Sequence, residues 1–378
     1  MKKLLSLILV AMLILSLAAP AMAEAPKYKI AILTGTTSQG EEEYRAAENL
    51  KAQYPDMVIT DTYPDAFSSE VETTIGKLMQ FAADPEVKAI IMCQAVMGAT
   101  AAFTQIRQDR PDILLLAGVP AEDPADIGGA ADVVMGVDEI NGGAQIVETA
   151  QEWGAEVLVH YSFARHMGYE TIVARFNIMK AACEDAGIEF VPRDAPDPTA
   201  EGGPTVSQAF ILEDVPKVMA EYAGKKVAFF TTNCGMQEAL QTAVLKEENA
   251  LYPLPCCPSP FHGFPASLGL AVNEEDWGDI NAYLEKMAVE LGKYNAVDRV
   301  STWAAPVNMS MILGGFEYAK DYIENGGEKL DQAKLQQYLS DAAGAQAQLT
   351  PYEDDNGNVV ENYFMVLFDN VDFNEYVK

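Results

Sequence analysis

Eight side chains in this sequence have the type and position to grip a small polar molecule. Thr36 and Thr37 follow an apolar run, Lys29 to Gly35, and precede a helical pattern. Their hydroxyls and the backbone N–H groups of a helix start suit an anionic or hydroxylated ligand, though they could equally do no more than cap the helix. Gln94 follows a third apolar run at the matching edge. Ser162 and Arg165 lie in a polar segment, His160 to His166, between the apolar Val157-Leu158-Val159 and a helix carrying Ile172, Val173, Phe176 and Met179. In an open parallel sheet ligands sit beyond the carboxyl ends of the strands, so a guanidinium there could hold carboxylate or hydroxyl oxygens in a planar fork. The bland alternative for Arg165 is a solvated residue at a helix start. Asp138 is either a ligand acceptor or a turn residue at a crossing between lobes. Asn233 opens a later helix, and Trp303 offers an apolar face to a sugar or base, or simply packs.

Catalysis and metal binding find less support. His160 with Ser162, or Cys257 with His262, could be paired on paper, but neither stands in a nucleophile-elbow or papain-like context. Cys256, Cys257 and His262, or His160 and His166, match no zinc spacing. The expectation is no catalytic residue, no metal and no cofactor. Five cysteines are too few and scattered for a disulfide scaffold, and their odd count leaves at least one free thiol. Cys93, inside an apolar run, reads as a small core hydrophobe.

The elements that must position these groups alternate regularly. Strand-like runs at 29–35, 57–62, 89–93 and 113–119 are separated by helical patterns, which predicts a parallel sheet with right-handed crossovers. A further strand is expected at 133–138 and a helix from Asn141 to near Trp153. A second βα series then runs through Val157, Ile188–Val191, Lys226–Thr232 and Leu251–Cys256, with Pro192 to Pro204 read as a surface loop. Helices marked by Leu284, Met287 and Leu291 and by Met309, Ile312 and Phe316 follow, and Tyr363 to Phe368 is a last strand. Pro258 to Gly269, with three prolines around Phe261-His262-Gly263-Phe264, reads as a stiff loop, functional or packed.

At the N-terminus Lys2 and Lys3 precede an apolar stretch, Leu4 to Leu17, closed by Ala21-Met22-Ala23. That is a secretory signal over residues 1–23, with an expected periplasmic or extracellular destination and no membrane-spanning segment. The remaining chain of about 355 residues calls for two lobes. A formal charge of −31, or −33 without Lys2 and Lys3, repels phosphate backbones, so nucleic acid is not an expected partner.

Four segments together resemble the type I periplasmic solute-binding proteins, the ribose- and galactose-binding-like components of ABC importers. Ser162-Phe-Ala-Arg165-His-Met-Gly168 looks like that family's Ser-x-x-Arg-x-x-Gly segment. Val137-Asp138-Glu-Ile-Asn-Gly142-Gly143 is similar to its first crossing. Phe229-Phe-Thr-Thr-Asn233-Cys234 looks like its second-lobe Asn-Asp strand end, and Ser301-Thr302-Trp303-Ala-Ala-Pro306 resembles its third crossing. Two positions depart: Cys234 stands for the acidic residue of the Asn-Asp pair, and Pro255-Cys256-Cys257-Pro258 for a strand end that supplies another carboxylate to sugars.

The resemblance implies an α/β fold of two doubly wound parallel-sheet lobes joined by three hinge crossings. The expected lobes are 27–138 with 304–345, and 139–303 with 346–378. It implies capture of a small polar ligand (a nucleoside, sugar derivative or small carboxylate) between the lobes and delivery to an ABC permease. Thr36, Thr37, Gln94, Asp138, Ser162, Arg165, Asn233 and Trp303 are the expected contacts. A ligand-sensing module for a membrane receptor and a secreted hydrolase are the alternatives. The leader and the lack of a helix-turn-helix before Lys29 speak against a DNA-binding repressor.

Overall fold

The computed structural model describes residues 28–377 apart from 65–66, 68, 199–202, 274–275, 277–278 and 355. The expected signal at 1–23 lies outside the described residues.

The chain first lays down β1 (Lys29–Thr34), α1 (Thr37–Gln53), β2 (Val58–Thr62), α2 (Val71–Ala83), β3 (Val87–Cys93), α3 (Ala99–Asp109), β4 (Leu114–Gly118), α4 (Pro124–Ala130) and β5 (Val133–Val137). These strands run parallel in the order β2-β1-β3-β4-β5. Continuous apolar runs such as Ile30-Ala31-Ile32-Leu33 are buried on both faces, as a sheet covered on two sides requires. Ile30 and Ile32 pack with Ala46 and Leu50 of α1, while Ala31 and Leu33 face Leu78 of α2 and Phe103 of α3.

The chain then crosses at Asp138 into α5 (Glu139–Glu152), β6 (Val157–Ser162), α6 (Glu170–Ala186), β7 (Glu189–Asp194), α7 (Gly203–Glu221), β8 (Val227–Thr231), α8 (Cys234–Val244), β9 (Ala250–Leu251), α9 (Phe264–Leu268) and α10 (Ile280–Gly292). The second sheet is parallel, in the order β7-β6-β8-β9. After Trp303 the chain returns: α11 (Val307–Asn325) packs on β3 and α1, and α12 (Gln332–Ala343) packs on α11. The fold is the two-lobed α/β architecture of type I periplasmic binding proteins.

The structure corrects several boundaries. Residues 346–378, expected in the second lobe, contribute β10 (Ala347–Glu353) and β11 (Val359–Phe368) to the first sheet. β11 runs parallel to β5, with Tyr363 opposite Val134, and β10 pairs antiparallel to β11. Phe364, Val366 and Phe368 bury one side of β11 and Tyr363 the other, so this strand needs cover on both faces, which the edge of the first sheet provides. Only beyond Phe368 does the chain turn back. Ala304 N–H donates to Asp369 (2.9 Å) and Val371 N–H to Thr302 (2.8 Å), so the segment 301–306, expected as the third crossing, is the second in chain order and lies beside the last one, after Phe368. Tyr376 then reaches Asn281 of α10.

β6 continues to Ser162 instead of ending at Val159, because His160 and Tyr161 find ladder partners in Phe230 and Thr231. β7 likewise extends through Pro192 to Asp194; an edge strand tolerates the missing donor. The strand expected at Leu251–Cys256 is cut to two residues. Pro253 and Pro255 have no N–H for a ladder, and Tyr252 is left as a single bridge to Val300.

Candidate functional site

The carboxyl ends of both sheets face one another, and polar side chains from the two lobes meet there. On the first lobe, α1 is interrupted at Gly40, whose extended backbone (φ −163°, ψ 85°) lets the regular helix restart with Glu41, Glu42 and Glu43 in its first turn. Carboxylates are stabilised at that end of a helix. Glu43 is buried, and its Oε1 accepts from Gln94 Nε2 (3.1 Å) and from Asn308 Nδ2 at the start of α11 (2.7 Å). Glu42 reaches the other lobe: it accepts from Ser259 Oγ and lies 3.7 Å from His262 Nε2. Burial pushes the Glu42 carboxyl up to about 8, with Glu43 and Glu41 adding to the rise and the Ser259 bond opposing it. Burial also pushes His262 down to about 4. At neutral pH both are therefore uncharged, and their approach is a polar contact instead of an ion pair.

On the second lobe a network spans the ends of β6 and β8. Ser162 Oγ and Thr232 Oγ1 share a hydrogen bond of 3.0 Å, and His166 Nδ1 lies 3.1 Å from the same threonine oxygen. Asn233 Nδ2 is 3.4 Å from His166 Nε2, while its Oδ1 caps α8 by accepting from Gly235 N–H (2.9 Å). Burial lowers the His166 pKa and the neighbouring Arg165 guanidinium lowers it further, with Asp197 opposing them.

The expected contacts thus have different surroundings. Ser162 and Asn233 belong to the second-lobe network, and Gln94 to the Glu43 cluster across the gap. Thr36 is half-buried and Thr37 exposed at the start of α1. Arg165 is exposed, and its fork is closed on Asp197 (Nε–Oδ2 2.8 Å, Nη2–Oδ1 3.1 Å), with Nη1 on the Tyr169 hydroxyl (3.0 Å). Asp138 is 4% exposed and N-caps α5; its two oxygens accept from the backbone and side-chain nitrogens of Asn141. Trp303 is 2% exposed, donates to Pro255 O (2.9 Å) and packs against Gly142, where an added Cβ would stand 3.3 Å from the ring.

Sequence reasoning missed Glu42, Glu43, Asn308 and Arg175. The Glu41-Glu42-Glu43 run after a glycine was the available signal for the first two. Arg175 of α6 is buried beneath the first crossing, with Nη1 3.5 Å from Glu139 and 3.4 Å from Cys256 O, and its guanidinium over the Phe230 ring. Gly143 makes room for it, since a Cβ there would meet Arg175 Cγ at 2.8 Å. Nothing local marks Arg175 as different from a surface helix residue.

The two departures from the family pattern come together. Cys234, at the start of α8, is disulfide-bonded to Cys257, and Cys256 Sγ lies 3.9 Å from Cys234 Sγ and 3.6 Å from Cys257 Sγ. His262 Nδ1 is 4.0 Å from Cys234 Sγ. Cys93 and Cys183 are free and buried. A hollow of about 600 Å³ sits at the opposite end of the first sheet, lined by Met79 and Ile106 and by Lys88 and Arg110, whose charges are paired with Asp112.

This architecture is that of the type I periplasmic binding proteins. The chain itself belongs to the family described as "Protein of unknown function (DUF3798)", whose pattern matches residues 28–301. An uncharacterised protein of Treponema pallidum (strain Nichols) is 36% identical over 178 residues, covering 45% of this chain and 80% of that protein. Among solved structures, one from Clostridium difficile 630, described as a putative transcriptional regulator, superposes with a TM-score of 0.83 at 22% identity, covering 91% of this chain and 99% of that one. A periplasmic ribose ABC transporter protein from Conexibacter woesei DSM 14684 superposes at 0.52 with 12% identity, covering 82% and 91%. No described helix is long and apolar enough to cross a membrane.

Proposed function

We propose that this protein is an exported, non-enzymatic solute-binding protein that closes its two lobes on a small polar ligand and hands it to an ABC importer. The observation that carries the reading is Glu42. A first-lobe carboxyl is bonded to Ser259 of the second lobe between the two strand-end clusters, which is how lobes look when their own groups satisfy one another across a cleft. Hinge closure on a ligand would exchange such contacts for contacts to it, and polar groups left unpaired give specificity. The likeness to a ribose ABC transporter protein supports the same reading.

The ligand class follows from the charges. Glu43 presents acceptor oxygens to Gln94 and Asn308, while the Arg165 fork is engaged by Asp197. A ligand with hydroxyl or amino donors, such as a nucleoside or sugar derivative, fits this cleft better than a small carboxylate. A thermal-shift screen of residues 24–378 against sugars, nucleosides, amino acids and carboxylates tests it; a hundredfold excess over Kd adds about 2.7 kcal/mol of apparent stability. Glu43→Gln is expected to weaken a hit about tenfold or more, since bonds to a charged group contribute about 1.5–3 kcal/mol. Arg165→Ala is expected to leave it within about threefold. Hits confined to carboxylates and lost with Arg165 would overturn the ligand class, and no hit in any class would overturn capture itself.

A protein described as a putative transcriptional regulator shares this fold, and the same cleft admits a second reading, in which the lobes sense a ligand for a membrane receptor instead of delivering it. Stimulation of a permease's ATP hydrolysis by the loaded protein would decide for import.

A further inference from the structure

The geometry points to a soft-metal site of three cysteines and one histidine, Cys234, Cys256, Cys257 and His262, formed when the Cys234–Cys257 disulfide is reduced and suited to Zn²⁺. The three sulfurs lie within 4.8 Å of one another, on loops that follow β8 and β9. Around a tetrahedral Zn²⁺ with Zn–S bonds of about 2.3 Å, sulfurs stand about 3.8 Å apart, and a sulfur and an imidazole nitrogen about 3.6 Å apart. Cys234–Cys256 at 3.9 Å and Cys256–Cys257 at 3.6 Å already have that spacing, and His262 Nδ1 at 4.0 Å from Cys234 Sγ is close to it. Of the three other edges, Cys234–Cys257 is the disulfide pair, which must open to the same separation, and the two from His262 to Cys256 and Cys257 close only when the imidazole turns in from its place beside Cys234. Three thiolates already grouped, with one imidazole beside the first of them, supply the donor types of tetrahedral zinc.

The surroundings hold these donors in place. Gln241 Nε2 donates to His262 O (3.2 Å), and Gly263 follows in a left-handed conformation (φ +81°) that fixes the turn after the histidine. Pro258 and Pro260 stiffen the approach. The other ring nitrogen of His262 faces Glu42 Oε1 at 3.7 Å; on losing its proton in the nearby cation's field, that carboxyl would stand where a carboxylate commonly orients a metal-bound imidazole. Because Glu42 belongs to the first lobe, the cation would also brace the closed arrangement. Cys234 is exposed and provides an entry route, whereas Cys256 is buried.

The chemistry balances with a named reductant. A phosphine attacks one sulfur of the Cys234–Cys257 bond and expels the other as a thiolate; water then hydrolyses the thiophosphonium, supplying the two protons of the two thiols and the oxygen with which the phosphine leaves as its oxide. Binding Zn²⁺ then releases the three thiol protons. Metal and disulfide are mutually exclusive states of the same sulfurs.

The test uses the mature chain, residues 24–378, reduced with phosphine under anaerobic conditions and titrated with Co²⁺ as a visible probe, then with Zn²⁺. One Co²⁺ per chain with thiolate charge-transfer bands, displaced by Zn²⁺ and absent from the oxidised protein, is expected. Cys256→Ser should abolish those bands while the oxidised variant still forms Cys234–Cys257 and unfolds like wild type. The Cys93→Ser/Cys183→Ser variant should bind as wild type, and Glu42→Gln should weaken binding about tenfold. Co²⁺ binding without thiolate bands, no binding at all, or Cys256→Ser binding as tightly as wild type would each overturn the site.

Discussion

Arg299→Met is expected to destabilise the protein by about 4–5 kcal/mol, read as a lower denaturant midpoint at unchanged slope. Arg299 is 7% exposed and donates to five backbone carbonyls: Asn295 (3.1 Å), Val244 and Ala250 (3.0 Å each), and Leu245 and Tyr294 (3.2 Å each). Two of these oxygens terminate α8 and two follow α10, so a fixed cation closes two helix ends at once, where the macrodipole favours it. Methionine fills similar volume but leaves those oxygens without donors, at about 1–3 kcal/mol for each one that water cannot reach. Arg299→Lys keeps the charge but has three donors on a point and lacks the fork, so roughly half the loss should return. A variant within about 1 kcal/mol of wild type would show that the carbonyls find other partners.

The second large effect is acid lability centred on His160. Its ring is 1% exposed and packed against Phe176, Phe190 and Phe230, with centroids 5.0, 5.6 and 5.5 Å away. Neither ring nitrogen has a hydrogen-bond partner among the described residues. Burial, with the Arg175 guanidinium adding to it, pushes the pKa down to about 3. The folded protein thus keeps this ring neutral while the unfolded chain protonates it below its ordinary value of 6.5. Between about pH 6.5 and pH 3 the unfolded state binds the extra proton, so stability falls as pH falls, by up to about 1.4 kcal/mol per unit. Above pH 6.5 this residue contributes no pH dependence. His160→Phe should flatten that window, gaining about 2 kcal/mol at pH 5 relative to pH 7 in paired denaturant melts. A variant with the same acid slope as wild type would place the lability elsewhere.

The candidate site was legible unevenly, and the reason is range. Asn233 and Asp138, expected as ligand contacts, N-cap α8 and α5, a local device in which the side-chain oxygen meets an N–H two or three residues on. Gln94 was placed by the rule that strands end at the ligand side, and it does meet Glu43 there. Arg165 stands where its spacing put it, at the end of β6. What the spacing did not carry is Asp197, 32 residues later, which closes its fork. The sulfur cluster joins Cys234 to Cys256 and Cys257 across a strand and a helix, so its ligands match no short spacing pattern. It exists because β8 and β9 are neighbours in the sheet.

Apolar periodicity by itself determined the order of the βα units, the parallel sheets and the two-lobed class, because strands buried on both faces and helices with one apolar stripe leave few ways to cover each other. Tertiary structure alone decided where β10 and β11 go. A strand with both faces apolar names no particular sheet, and it is the edge at β5 that gives it cover on both sides. Tertiary structure also decided which polar groups remain for a ligand. Arg165 and Asp138 are satisfied within their own lobe, while Glu42 is satisfied across the gap. That distinction depends on partners far apart in sequence, and only packing brings them within reach.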